Sequence, residues 1–160
     1  MAANMNPMQH LNRVATAAVV IGFVFVLLAI GQIIAWGVDR RVPFRLISYV
    51  TNPALPGDTV IVRANVERDL HRKCSVTYSR MFHDASGVQF DITPGAQMMT
   101  ADALNDLNRR TPDTLILSVT VPPKAAPGKG ALISVLDYVC NPTHQLYPVS
   151  MLVTMDVEVL

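Results

Sequence analysis

The sequence predicts a mainly β fold behind an N-terminal transmembrane helix, and three observations carry that prediction. No charged side chain occurs between Val14 and Val38. Past that segment hydrophobicity switches to strict alternation, and turn-forming pairs of Pro, Gly and Asp separate the alternating stretches. The length of 160 residues suits one domain core plus an accessory segment.

The apolar segment follows a short tail, residues 1–13. As a helix, residues 14–38 would reach ~37 Å, enough to cross a hydrocarbon core of ~30 Å with some tilt. Lipid offers no partner to a broken backbone, so the absence of proline inside the segment matters. Trp36 sits where an interfacial anchor belongs. Ala35 and Gly37 are spaced as a signal peptidase site would need, but the apolar run exceeds the ~7 to 15 residues of a cleaved signal core. Retention as a signal-anchor is the expectation. Ala18, Gly22, Phe25, Ala29, Gln32 and Trp36 recur in steps of four and three, so they share one side. Helix–helix packing through Ala18, Gly22, Ala29 and Gln32 would use that side; the general abundance of Ala and Gly in membrane helices accounts for it equally well.

The flanking charges pull against the compartment suggested by the cysteines. Arg13 precedes the span and Arg40, Arg41 and Arg45 follow it, which by the positive-inside rule would hold the C-terminal domain in the cytoplasm. Large domains can cross regardless of flanking charge, and the spacing of the two cysteines suits an oxidising compartment. An extracytoplasmic, periplasmic-type location is therefore expected.

Residues 39–43 read as a linker and 44–160 as the β domain. Val60, Val62, Ala64 and Val66 alternate with Ile61, Arg63, Asn65 and Glu67, the pattern of a strand with one buried face. Leu115 to Val121 and Met151 to Val159 repeat it. Phe44–Thr51, Cys74–His83, Val88–Ile92 and Ala131–Cys140 are less regular strands, with turns at Pro56-Gly57-Asp58, Asp84-Ala85-Ser86-Gly87, Pro94-Gly95 and Pro127-Gly128. Between strands, Thr100 is placed to cap a short helix bearing Leu104 and Leu107 on one side, although the stretch reads equally as a solvated loop.

About seven strands with no long amphipathic helix resemble an immunoglobulin- or fibronectin-like β-sandwich over residues 43 to 160. Tyr138-Val139-Cys140 is similar to the Tyr-x-Cys of immunoglobulin domains, but it closes its strand and no tryptophan lies between the cysteines, so it is read as coincidence. The Cys140-Asn141-Pro142-Thr143-His144 segment and the terminal strand resemble short anchored proteins of tailed phages and prophages, for which the resemblance implies no activity.

Cys74 opens the third of these strands and Cys140 closes the sixth. In a Greek-key sandwich those two lie antiparallel side by side, which makes a disulfide the leading expectation. Two buried thiols are one alternative. The other is zinc held by His71, Cys74, Cys140 and His144, because His-x-x-Cys and Cys-x-x-x-His supply standard ligands. Met81, Met98, Met99, Met151 and Met155 with the histidines raise copper in the same sense, although Met151 and Met155 fall on an apolar face.

A net charge of +1 gives nucleic acid no counterion-displacing surface. Phosphate loops, nucleophile elbows and paired-histidine zinc motifs are absent from the sequence. His83 and Asp84 are neighbours, but side chains adjacent on a strand face opposite ways, so a hairpin start explains them better. The expectation is a membrane-tethered interaction or structural module of the cell envelope, not an enzyme. It would have no cofactor and no small-molecule substrate, and its partners would be the lipid bilayer, another envelope protein or itself. Metal handling is the alternative.

Overall fold

The computed structural model describes residues 7–69, 71–93, 95–110 and 113–160. Two compact units divide the chain, Met1–Asp39 and Arg40–Leu160.

The first unit is one continuous helix, α1 (Pro7–Val38). Proline is favoured at a first helical position, where its missing N–H is not needed. The tail expected over residues 1–13 is thus helical from Pro7 onward, and residues 1–6 lie outside the described residues. The stretch Asn12–Val38 is long and apolar enough to cross a membrane, and none of it is buried in protein. With a continuous helix, the stripe from Ala18 to Trp36 stays within roughly 80° of arc. Nothing lies within 4 Å of a Cβ built on Gly22.

The second unit is mainly β. In chain order it comprises β1 (Phe44–Thr51), β2 (Thr59–Arg68), β3 (Ser75–His83), β4 (Gln89–Asp91), β5 (Gln97–Met99), α2 (Ala101–Arg110), β6 (Thr114–Thr120), β7 (Gly128–Val139) and β8 (Val149–Val159). One antiparallel sheet has the order β1-β2-β6, and the other runs β4-β3-β7-β8 with β5 also paired to β3.

Eight strands stand among the described residues where about seven were expected. The extra strand is β5, which pairs Val76 with Met99 and Tyr78 with Gln97, while β4 takes the other end of β3 through Met81 and His83. Three residues are too few to display alternation, and β5 is extended only because β3 offers it an edge. The short helix does form. Thr100 caps it by accepting from Ala103 N–H at 3.4 Å, and its first turn closes with Leu104 N–H on Thr100 O at 2.9 Å. Gly57, Gly87, Gly95 and Gly128 all have positive φ, the conformation the expected turns require. Pro94 lies outside the described residues.

Alternation translates directly into burial. Val60, Val62, Ala64 and Val66 of β2 and Val153, Met155, Val157 and Val159 of β8 turn inward, against Phe82 of β3 and Leu132 of β7. Core residues from both sheets join in one cluster, so the sheets cover each other's apolar faces. A smaller cluster of Cys74, Val76, Tyr138 and Val149 lies toward the disulfide.

Gly130 marks the tightest contact between β3 and β7. A Cβ there would lie 2.7 Å from the Phe82 ring and 2.8 Å from His83 O, so the ring rests directly on bare backbone. Gly130→Ala should therefore destabilise the β unit by ~1 to 3 kcal/mol through overpacking. A thermal melt of the variant beside the parent checks it, and an unchanged midpoint would show that Phe82 has another place to go.

Candidate functional site

Pairing of β3 with β7 decides where every singled-out residue lands. Ser75 faces Val139, which brings the preceding Cys74 and the following Cys140 together as the next step of the ladder. They form a disulfide with a Cα separation of 4.1 Å, closing a sequence separation of 66 residues. Cys74 is almost wholly buried.

The zinc arrangement does not form. Both sulfurs are bonded to each other, so neither is a thiolate free to ligate, and His71 is exposed. No group of three or more metal-binding side chains gathers among the described residues. His144 is buried in a local loop, where its Nδ1 accepts from Cys140 N–H at 3.3 Å and its Nε2 lies 3.2 Å from the Asn141 amide nitrogen. Asn141 also caps the turn Pro142–Gln145 by accepting from His144 N–H at 3.1 Å. The Cys-Asn-Pro-Thr-His segment thus folds on itself. Nor do the methionines converge: Met155 joins the main core, Met99 and Met151 pack on the smaller cluster, and Met98 is exposed.

His83 and Asp84 separate as a hairpin start requires. His83 pairs through Nε2 with Gln89 Oε1 at 3.2 Å, across the strands. Asp84 Oδ1 accepts from Ser86 N–H, Ser86 Oγ and Val88 N–H, and Oδ2 accepts from Ala126 N–H at 2.9 Å. One carboxylate therefore closes its own turn and holds the segment leading into β7. The Ala126 amide and the Ser86 hydroxyl, against the opposing effect of burial and with further help from the Val88 and Ser86 amides, bring its pKa down to about 2.

A cavity of about 280 Å³, partly open to solvent, lies between the sheets. Along the inner face of β3 and β7 the registered pairs run Phe82 with Leu132, Arg80 with Ser134, Tyr78 with Leu136, and Val76 with Tyr138. The second pair is polar, and it falls between the two apolar clusters. Arg80 Nε and Ser134 Oγ are shielded from solvent without a hydrogen-bond partner. The guanidinium sits 4.8 Å from the Tyr78 ring centroid, and burial lowers its pKa, with Tyr78 opposing.

Apolar side chains make up much of the remaining wall, among them Met99 of β5, Leu104 and Leu107 of α2, and Leu115 and Leu117 of β6. The cavity explains why Leu115 and Leu117 are only half-buried while Val119, further along the same face, is buried. At the opposite end stand Arg68 and Tyr138. Burial raises the Tyr138 hydroxyl to about 12, against the pull of Arg68. Burial likewise lowers Arg68, with Tyr138 and Asp113 opposing. Nothing in the sequence reading singled out Arg80 or Ser134. Their signal was parity, since each occupies an inward position on an otherwise apolar face.

No protein-family model matches this chain, and no curated protein is similar to it at a significant level. Among solved structures it is similar to the sporulation control protein Spo0M from Bacillus subtilis, at 11% identity and a TM-score of 0.35. That match covers 74% of this chain and 50% of the other, so the chain spans about half of its neighbour's length.

Two measurements test these assignments. Non-reducing intact mass should fall two protons short of the reduced chain, and reduction should cost up to ~4 kcal/mol in denaturant titrations, the loop-entropy estimate for a bridge of this span. For Asp84, the lowered folded pKa means its contribution is full above the unfolded value near ~4 and is lost as pH falls toward 2. Unfolding of the parent minus that of Asp84→Asn should therefore shrink between pH 4 and pH 2 and stay level from pH 5 to 7. A difference constant across the whole range would contradict the assignment.

Proposed function

We propose that this chain is a non-enzymatic, single-pass membrane protein whose β unit, an immunoglobulin- or fibronectin-like sandwich, docks an extended segment of another envelope protein. The docking edge in this reading is β8. Its support begins with α1, whose apolar length suits a retained anchor. The disulfide favours the oxidising side of the membrane for the β unit. The sheet orders β1-β2-β6 and β4-β3-β7-β8 favour the sandwich assignment.

The observation that carries the proposal is the outer edge of β8. This strand ends its sheet, with β7 on one side only. Over its C-terminal half the outward backbone groups are taken: Asp156 N–H donates to Tyr49 Oη at 3.0 Å, Thr51 Oγ1 donates to Asp156 O, Ala54 N–H donates to Glu158 O, and Leu160 N–H donates to Ala54 O. Strand geometry turns the same groups of Ser150, Leu152 and Thr154 outward, since backbone direction alternates residue by residue. No strand is hydrogen-bonded to them among the described residues. An added strand would gain those hydrogen bonds, and Leu152, 65% exposed midway along the row, would meet its side chains.

A photoreactive residue in place of Leu152, activated in native membranes, should yield a discrete adduct whose partner mass spectrometry identifies as an envelope protein. Thr154→Pro in that background removes one outward N–H and leaves the β7 ladder intact, so the adduct should drop about tenfold. Undiminished adduct, or none, would reject the docking edge, and an adduct of twice the chain's mass would assign the row to self-pairing. Alkaline carbonate should leave the chain in the membrane, and protease added to spheroplasts should remove the β unit.

A further inference from the structure

We propose that the cavity between the sheets binds a small amphipathic anion, a medium-chain fatty carboxylate, with its head on Arg80 and Ser134 and its tail among the leucines beneath α2. The inference goes beyond the docking of a partner at β8 and does not depend on it.

A guanidinium remains protonated at any physiological pH, so lowering its pKa by burial leaves Arg80 a cation. Its side chain has no carboxylate partner among the described residues; the Tyr78 ring is its neighbour. Directly across the ladder, Ser134 is 5% exposed and its hydroxyl is also without a partner. Arg80 is part-buried as a residue, but its Nε is a buried donor, and buried polar atoms ordinarily have hydrogen-bond partners. Two such groups side by side on the wall of one cavity call for an acceptor between them, which an anionic oxygen provides by accepting from Arg80 Nε–H and from Ser134 Oγ–H.

Apart from Tyr78, and Arg68 and Tyr138 at the far end, the remainder of the wall is apolar and selects the body of the ligand. Leu104, Leu107, Leu115, Leu117 and Leu136 line it with Met155, and none of these can hydrogen-bond to a sugar, a nucleotide or a peptide backbone. At ~30 Å³ for each water-sized group, the volume of about 280 Å³ holds roughly nine such groups. That matches a carboxylate with about eight to ten carbons. Longer acyl chains would have to leave past α2.

The test uses the full chain in nanodiscs of phosphatidylcholine, with a diazirine-bearing decanoate as the probe. Crosslinked peptides should include Leu104, Leu115–Leu117 or Leu136. Unlabelled decanoate should compete for them at least tenfold better than decanol or decyltrimethylammonium, a comparison that needs no variant. Arg80→Met should weaken labelling about tenfold or more, and Ser134→Ala by a smaller factor, with the disulfide mass unchanged. Equal competition by the alcohol or the cation would overturn the proposal. So would label confined to residues 12–38, or labelling of a folded Arg80→Met protein at the parental level.

Discussion

The antiparallel ladder between β3 and β7 is the interaction on which the rest of the β unit depends. It is the centre of the larger sheet, with β4 and β5 added on the far side of β3 and β8 on the far side of β7. Both partners of the disulfide lie one step beyond its end. At the other end, Asp84 fastens the β3–β4 turn to the residue before Pro127, two positions short of β7 itself. A one-residue slip would turn Phe82 and Leu132 to the outside and pull the cysteines apart, because side-chain direction has period two. The bare backbone at Gly130, under the Phe82 ring, admits only one register as well.

That same ladder carries a polar interruption of its inner face. Arg80 opposite Ser134 divides what would be a continuous apolar face into a main core and a satellite near the disulfide. Closing the sheets over such a pair would leave polar atoms without partners against hydrocarbon. The cavity is the geometric result, and α2 with β5 covers its flank in place of a wider sheet. Of the neighbouring rows, Phe82 with Leu132 is apolar, and Tyr78 with Leu136 brings a hydroxyl that donates to Gln97.

Edges show a comparable division. The loop after β1 reaches β8 through Ala54, in a parallel bridge to Val159, and seals the strand's end. Among the described residues, no strand is hydrogen-bonded to the outer side of the earlier part of β8. An edge sealed for half its length keeps open aggregation in check, while the open half is short enough to accept a single segment.

Particular residues show how far the chain's own pattern reached. Val60 to Val66 and Met151 to Val159 fixed two strands and their inward faces, because alternation against water is a local property. Thr100 offered a cap for α2, but the polar stretch after it read equally as a solvated loop, and the structure decided for the helix. The uncharged stretch from Val14 to Val38 determined a long helix, and the disulfide followed once the strand order of a sandwich was assumed. Tertiary structure alone decided the rest. β5 exists because β3 has an unoccupied edge, His144 is drawn into its loop and away from His71, and Arg80 meets Ser134 only after residues 54 positions apart are placed in register. Periodicity tells which way a side chain points; what stands opposite depends on pairing between distant strands, which no local pattern encodes.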